Sequence, residues 1–280
     1  MRILRDFAQQ TNEWFDEHLA RATASSAAAI LDFTQKGVEG STRRSYRLLK
    51  VAESLSGIAV HPNYVSAPML AGNAAEPHAR THHELEENVM VEPVGIVIGD
   101  DERTAWSPDG VVTDDAGNII GAVELKGPQT TTHLKTLDAI AQAVYPIPEE
   151  NQPQLWFAFM VCPTLQWIDF SMRDGGMETD KLKIKDAIGN GIDLSILPRR
   201  YKQFTYRLER SQCLDKIAKM RAETDRFLAD VDATIARINS ICPELPDDDA
   251  PIMSELTDEQ ESALGISDDD IRAIDPSWQA

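Results

Sequence analysis

The pattern of apolar and polar positions divides the chain into helical and extended segments. Apolar side chains at three- and four-residue spacing predict helices at 12–32 (with a break near 22–26), 43–56, 70–89 and 208–241. Residues 130–161 predict a helix, a loop and then a segment that is either helical or extended. Short runs rich in β-branched residues predict strands at 94–99, 104–110, 110–112, 119–125, 163–172 and 204–210. Elements in this order predict one α/β (α+β) domain over residues 1–242, with a mixed central sheet flanked by helices and a long C-terminal helix.

One predicted β-hairpin carries an unusual set of polar residues. It lies in "SPDGVVTDDAGNIIGAVELKGP", residues 107–128, with the turn at 113–118. Glu124 and Lys126 are two residues apart, so they project from one face of the strand, whereas Val123 and Leu125 face the core. Both polar residues lie opposite Asp109 on the paired strand. This arrangement predicts either a surface patch of ion pairs or a functional site.

The chemistry of these three side chains resembles that of metal-dependent nucleases with a Pro-Asp…Glu-x-Lys motif. Two carboxylates can bind a hard cation such as Mg²⁺, or Mn²⁺ in its place, together with waters and a substrate phosphate. The metal lowers the pKa of its bound water and neutralises charge on the phosphodiester. A lysine beside them supplies a second positive centre or, if its pKa is depressed, a base.

Composition narrows the class of protein. The chain has 280 residues, 42% of them hydrophobic, and no apolar run long enough to span a membrane, so we expect no membrane association. We also expect no signal peptide, because the first residues lack an apolar h-region. The three cysteines, Cys162, Cys213 and Cys242, are far apart, which favours a reducing cytoplasm and disfavours zinc or iron–sulfur ligation.

The net charge of −19 is unfavourable for DNA binding, but it is distributed unevenly. Residues 243–280 contain twelve acids and one arginine, which leaves a net charge of −8 on residues 1–242. Phosphate contacts would therefore come from local basic clusters, such as the one at 41–50. We interpret 243–280 as a separate acidic tail, either solvated and partly helical or used to dock a protein.

Several short motifs together resemble the lambda-exonuclease (YqaJ-type viral recombinase) family of the PD-(D/E)xK nuclease superfamily. The resemblance spans residues 14–238 and rests on the order of Trp14, Thr23-Ala24-Ser25, Gly72, Glu76-x-x-Ala79-Arg80, Ser107-Pro108-Asp109-Gly110, Glu124-Leu125-Lys126 and Gln152-x-Gln154. It implies a restriction-endonuclease-like core.

The resemblance also implies roles for the residues of these motifs. Asp109, Glu124 and the Leu125 carbonyl would bind Mg²⁺, with Glu76 serving the metal from the preceding helix. Lys126 would position the attacking water, and Gln154 would contact the scissile phosphate or the water. The residues implied in DNA binding are Ser25, Thr23 and Gln152.

One position departs from the family pattern. The family commonly has an arginine seven residues before the serine of the Thr-Ala-Ser motif, where it binds the 5′-phosphate of the DNA end. That position is His18 in this chain, and Arg21, one turn further on, is the candidate substitute. Preference for 5′-phosphorylated ends depends on one of these two residues.

Structural explanations compete with several of these roles. Glu76 is four residues before Arg80, which also suits a surface ion pair. Gln152 and Gln154 could simply end a loop at Pro153, which is unusual inside a helix, and Ser25 could be only a helix N-cap. We interpret the histidines of the 70–89 helix as a polar face and His133 as a surface residue.

The function predicted by the resemblance is a Mg²⁺-dependent 5′→3′ exonuclease that degrades one strand of linear double-stranded DNA for recombination. It further implies a homotrimer around DNA ends, a phage or prophage gene expressed in a bacterial host, and an annealing protein docked on the acidic tail. One alternative is an endonuclease or structure-specific nuclease with the same core. The other is a non-catalytic acidic protein that binds proteins or imitates DNA.

Overall fold

The architecture comes from a computed structural model that describes residues 1–5, 7–9, 11–60, 66–142 and 144–242. The chain divides into two compact units, residues 1–236 and 237–280. The described part of the second unit is the end of the last helix and Cys242. The predicted acidic tail, 243–280, lies outside the described residues.

The N-terminal half of the first unit contains a small mixed sheet and the helices around it. Its elements are β1 (Arg2–Leu4), α1 (Asn12–Asp16), β2 (Ala22–Thr23), α2 (Ala27–Ile30), α3 (Ser41–Ser56), α4 (Ala67–Glu87), β3 (Ile96–Ile98) and β4 (Thr104–Trp106). The strand order is β1-β3-β4-β2, and β2 runs parallel to β4.

The C-terminal half contains a second mixed sheet, which carries the predicted hairpin. Its elements are β5 (Gly110–Thr113), β6 (Ile119–Lys126), α5 (Thr130–Ala141), α6 (Gln152–Val161), β7 (Trp167–Arg173), α7 (Lys181–Asn190), α8 (Arg199–Lys202), β8 (Gln203–Glu209) and α9 (Leu214–Ile241). The strand order is β5-β6-β7-β8, with β6 and β7 parallel. The predicted fold class is confirmed, with two mixed sheets in place of one central sheet.

The second sheet is the centre of the core. Almost every residue of β6 and β7 is buried, because α4 packs against both strands. Strands covered in this way consist of nearly continuous apolar runs rather than alternating ones. Of the residues that the structure describes, none forms a helix long and apolar enough to cross a membrane.

Two predicted helices have different bounds in the structure. The helix predicted over 12–32 ends at Asp16, and β2 follows it because the Ala22 amide donates to the Arg103 carbonyl (2.9 Å) and the two strands pair. Ala20, with a φ of 56°, reverses the chain between them. The helix predicted from 208 begins at Leu214, because β8 pairs with β7 as far as Glu209.

The predictions for two histidines were wrong. His83 is fully buried where α4 covers β7, with its Nε2 atom 3.4 Å from Asp169 Oδ2. His133 is also fully buried, and its Nε2 lies 2.7 Å from the Tyr201 carbonyl oxygen. Both residues lie on helix faces that pack inward, which the sequence pattern alone did not distinguish from solvated faces.

Candidate active site

The β5–β6 hairpin brings Asp109, Glu124 and Lys126 together. Gly110 pairs with Val123, so Asp109, immediately before β5, lies opposite the end of β6. The Leu125 amide donates to Asp109 Oδ2 (2.6 Å), which fixes the aspartate against the neighbouring strand. Lys126 Nζ donates to Glu124 Oε1 (2.5 Å) on the same strand face.

Helix α6 adds Gln154 to this cluster. Gln154 Nε2 donates to Glu124 Oε1 (2.7 Å), and its Oε1 accepts from Lys126 Nζ (3.3 Å). The side chain can face the strand because α6 begins at Gln152, which places Pro153 in the first turn, where proline is tolerated. Gln154 is therefore not merely the end of a loop.

Helix α4 contributes Glu76 from a second direction. A Cβ atom on Gly127 would lie 2.8 Å from Gly72 Cα, so glycine is required for α4 to approach the end of β6 this closely. Arg80 Nη2 donates to Glu76 Oε1 (3.2 Å) and also to the backbone oxygen of Asp109. The predicted Glu76–Arg80 ion pair thus exists, and it connects α4 to the Pro-Asp-Gly turn.

Burial and like charges dominate the electrostatics. Burial and the neighbouring Glu124 carboxylate raise the pKa of Asp109 well above its usual value. Burial alone would lower the pKa of Lys126, but the charges of Glu124 and Asp109 outweigh it and raise that pKa. Lys126 is therefore a cation at neutral pH in the metal-free protein.

A cavity of about 440 Å³ opens over this cluster. Its walls contain most of the residues singled out in the sequence, namely Asp109, Glu124, Leu125, Lys126, Glu76, Gln154, Thr23, Ser25 and His18. Residues from the hairpin, from α4, from α6 and from the segment before α2 therefore meet around one space.

The segment before α2 also lines the cavity. Ser25 is exposed within a single 3₁₀ turn, Ala24–Ser26, and its Oγ lies 3.3 Å from Thr23 Oγ1, so it is not simply a helix cap. The His18 ring lies against Trp14, with 3.9 Å between the ring centroids. Burial lowers the pKa of His18, so its ring is neutral at neutral pH, with Nδ1–H donating to the Trp14 carbonyl (2.6 Å) and Nε2 left as an acceptor.

Two residues implied in DNA binding do not reach the cavity. Arg21 donates to the carbonyl oxygens of Glu102 (2.9 Å) and Glu17 (2.6 Å). Gln152 Nε2 donates to the Ile147 carbonyl (2.9 Å) beneath α6. Neither side chain lines the space that the other predicted residues share.

The basic cluster at 41–50 is largely used for internal ion pairs. Arg43 is buried and pairs with Glu39 (3.0 Å), which also pairs with Arg47 (2.8 Å). Lys50 is buried and pairs with Glu53 (2.7 Å). Arg44 is the exposed member of this cluster, so the cluster as a whole is not a phosphate-binding surface.

The donors around the cavity fit a hard divalent cation. Within the described ranges, no three or more His, Cys, Asp or Glu side chains are grouped closely enough to hold a metal by themselves. The Asp109 and Glu124 carboxylates are an all-oxygen set, and the like charge of Glu124 helps to raise the pKa of Asp109. Such a set suits Mg²⁺, which keeps several of its own waters, and does not suit a structural zinc ion.

Some polar residues at the cavity were not assigned a role from the sequence. Gln9 donates to the Pro108 carbonyl (2.7 Å), and Asn73 lies on α4 beside Gly72. The sequence around Gln9 and Asn73 contains no motif that indicates a position at the cavity. Arg80 has such a signal, its place four residues after Glu76 in the family motif.

The fold and the acid–lysine cluster over a cavity are the features of a nuclease. The sequence matches the YqaJ-like viral recombinase domain over residues 13–163, which is more than half of this chain. The chain belongs to this family, which confirms the resemblance seen in the motifs.

Solved structures agree with this assignment. The alkaline exonuclease LHK-Exo from Laribacter hongkongensis is 27% identical, with a TM-score of 0.62 over 83% of this chain and 98% of that chain, and LHK-Exo in complex with dAMP gives the same values. A phage-related exonuclease from Haemophilus somnus 129PT shares the fold at 13% identity, with a TM-score of 0.51 over 77% of this chain and 96% of that chain. No curated protein sequence matches. Family and fold together support a DNA exonuclease.

Proposed function

We propose that this protein is a Mg²⁺-dependent exonuclease of the PD-(D/E)xK type that degrades one strand of linear double-stranded DNA in the 5′→3′ direction. The observation that carries the proposal is the cluster of Asp109, Glu124 and Lys126 on two paired strands, with Gln154 hydrogen-bonded to the last two. A surface ion pair would not need two acids held together with a raised Asp109 pKa at a cavity.

The proposed metal ligands are Asp109, Glu124 and the Leu125 carbonyl, with Glu76 on the opposite side. Mg²⁺, or Mn²⁺ in its place, would supply Lewis acidity towards the phosphodiester and a bound water of lowered pKa. The protein's own part is to hold two carboxylates at close range despite their repulsion. Arg80 supports this by binding both Glu76 and the backbone of Asp109.

Lys126 and Gln154 would orient the reacting groups. The Lys126 ammonium is held by Glu124 and Gln154, and its raised pKa keeps it protonated, which suits orienting a water or stabilising phosphate charge rather than removing a proton. Gln154 has one donor and one acceptor committed within the cluster and would fix the lysine's position.

The DNA end would lie against the wall made by Thr23, Ser25 and His18. The Thr23 and Ser25 hydroxyl groups can donate to phosphate oxygens. The neutral His18 ring uses its one N–H for the Trp14 carbonyl (2.6 Å), so it adds neither a donor nor the positive charge of the arginine typical of the family. A phage or prophage origin, a homotrimer around the DNA and an annealing protein on residues 243–280 are further parts of the proposal, and all rest on the family alone.

The test is a digestion time course with linear duplex DNA carrying 5′-phosphate or 5′-hydroxyl ends. It includes Mg²⁺, Mn²⁺ or EDTA, a closed circular duplex, and the variants Lys126→Ala and Lys219→Ala. Lys219 is an exposed lysine on α9, so its variant controls for the loss of a charge alone. We expect metal-dependent release of mononucleotides from linear DNA in the wild type and in Lys219→Ala, and none in Lys126→Ala.

The other outcomes assign the alternatives. Cutting of the closed circle would indicate an endonuclease. Release of nucleotides from the 3′ end would overturn the proposed polarity. A protein that digests no DNA with either metal would support the acidic binding protein instead.

A further inference from the structure

The segment between β7 and β8, residues 174–202, contains six basic and five acidic side chains, and three of the acids, Asp174, Glu178 and Asp180, precede α7. Residues 181–202 contain six basic and two acidic side chains, a net charge of +4, whereas residues 1–242 as a whole have a net charge of −8. Local positive charge on an otherwise acidic protein is a feature of surfaces that contact phosphates.

The acidic residues of this segment are engaged locally. Asp193 binds Arg173 (2.8 Å) and Lys202 (3.1 Å), and Asp186 Oδ1 accepts from Asn190 (3.0 Å). The remaining basic side chains are exposed, and Lys183 among them forms an ion pair with Glu178 (3.8 Å). We refer to these residues as the basic surface: Lys181, Lys183, Lys185, Arg199 and Arg200.

The segment is firmly attached next to the cavity. The Gly175 amide donates to the Pro128 carbonyl (2.8 Å), one residue from Gly127 in the cavity wall. The fully buried Asp174 carboxylate accepts hydrogen bonds from the Gly176, Ile196 and Leu197 amides (3.0–3.2 Å), so it fixes both the beginning and the end of the segment.

Helix α7 also packs on the helix that carries Glu76. Ile184 of α7 is buried against Leu70, Ala71 and Ala74 of α4. Other residues of α4, including Asn73 and Glu76, line the cavity. The diameter of a single helix, about 10 Å with side chains, thus separates α7 from the space over the acids.

We infer that the basic surface contacts the phosphate backbone of duplex DNA whose end enters the cavity. The inference rests on the proposed function, since it requires duplex DNA as the ligand. An acidic protein repels DNA as a whole, so binding needs a local surface on which Lys and Arg neutralise phosphates. The cluster at 41–50 does not meet this need, because its charges are largely paired internally.

A second copy of the chain is the competing occupant of this surface. Exposed apolar side chains lie among the basic ones, including Leu182, Ile188 and Ile196. However, three of the five basic residues are lysines, and lysine is depleted in protein–protein interfaces. The charge of the segment therefore favours DNA.

The experiment compares two triple variants with the same change in charge. The test variant is Lys185→Gln, Arg199→Gln and Arg200→Gln, and the control is Lys36→Gln, Arg44→Gln and Lys219→Gln, all at exposed positions. Binding of a labelled duplex of about 20 base pairs is measured by fluorescence anisotropy in EDTA, which prevents metal-dependent cleavage, from about 50 to 200 mM salt.

We expect the test variant to bind at least tenfold more weakly than the wild type at the lowest salt. The slope of log K against log [salt] should become shallower by roughly 2–3, about 0.9 for each phosphate contact removed. The affinity of the control variant should stay within about twofold of that of the wild type, because charges that do not contact the DNA are screened by salt. Equal losses in both variants, or no loss in the test variant, would overturn the inference.

Two further outcomes separate this inference from the proposed function. If the wild type binds duplex through the basic surface but digests nothing with Mg²⁺ or Mn²⁺, the proposed function fails and the inference stands. If digestion is normal and the test variant binds as the wild type does, the inference alone fails. A change in molar mass by light scattering, with DNA binding unchanged, would assign the surface to a second copy and overturn the inference.

Discussion

Two aspartates at the same edge of the second sheet have opposite environments. Asp109 precedes β5 and Asp174 follows β7, and the register of the strands places both beside the end of β6. Asp109 accepts the Leu125 amide and faces the Glu124 carboxylate, and burial and this like charge raise its pKa. Burial would also raise the pKa of Asp174, but hydrogen bonds outweigh it and lower that pKa.

The difference lies in the number of donors. Asp174 accepts from two hydroxyl groups, Thr130 (2.6 Å) and Ser195 (2.9 Å), and from three backbone amides. Its charge is fully compensated within the protein, which is what a structural carboxylate requires. Asp109 lacks this compensation, so its charge can be neutralised by a cation from outside. A buried acid at a cavity with too few donors is thus a better indication of chemistry than burial alone.

The largest expected effect is the loss of catalytic activity in the Asp109→Asn variant. The amide retains the shape of the side chain and can still accept the Leu125 amide, but it no longer offers a charged metal ligand. We expect nuclease activity on linear duplex DNA to fall on the order of 10²–10³-fold, as for other groups that stabilise charge in the transition state. Asp174→Asn, assayed well below its melting temperature, is the matched control and should remain active.

The two substitutions should have the opposite order of effects on the stability of the protein. Asp174→Asn replaces a buried charge that holds five donors, so we expect the free energy of unfolding to fall by about 3 kcal/mol. Asp109→Asn should leave it unchanged or raise it in the absence of metal, because a repulsive charge is removed. Urea unfolding of the two variants and the wild type measures this, and a destabilised Asp109→Asn protein would contradict the comparison.

Arg80→Lys should have an intermediate effect on activity. Arg80 Nη2 donates both to the Glu76 carboxylate and to the Asp109 backbone oxygen, and a lysine is shorter and has a tetrahedral ammonium in place of the planar guanidinium. We expect about a tenfold loss of activity, equivalent to ~1.4 kcal/mol in the barrier, with a higher Mg²⁺ concentration for half-maximal rate. Arg103→Lys, at an exposed pair with Asp232, is the control. An unchanged Mg²⁺ dependence would argue against a positioning role.

The smallest effect is on the pH dependence of stability without metal. The raised Asp109 pKa means that the folded state loses stability as pH rises from about 4 through the folded pKa. The lowered Asp174 pKa means that its contribution is present above about pH 4 and is lost as pH falls through the folded pKa. The stability curves of the two Asn variants should therefore differ from that of the wild type in opposite directions, as thermal unfolding at several pH values would show.

Local patterns predicted the elements around the site. The hairpin of β5 and β6, and helices α3 and α4, follow from periodicity and turn residues, so Asp109, Glu124 and Lys126 were grouped correctly from the sequence. Glu76 and Gln154 required the family resemblance, because α4 and α6 are distant in sequence from the hairpin. Their position depends on packing, such as the Gly72–Gly127 contact, that has no local signature.

Features that depend on tertiary partners were not predictable in this way. Strand β2 has two residues and exists only because β4 lies beside it. Arg21 and His18 are three residues apart, but only His18 faces the cavity, since Arg21 is held by Glu17 and Glu102. The basic residues of 41–50 turned inward towards acids such as Glu39, which no count of charges reveals.

The most direct test of the account is the effect of metal on thermal stability. The wild type and Asp109→Asn are unfolded with EDTA, with Mg²⁺ and with Mn²⁺, without DNA. A cation that binds the uncompensated acids should raise the melting temperature of the wild type, by an amount equivalent to about 2.7 kcal/mol at a hundred times the dissociation constant, and should not change that of the variant. An equal rise in both proteins, or no rise in the wild type at concentrations that support digestion, would contradict the claim that Asp109 is held ready for a metal ion.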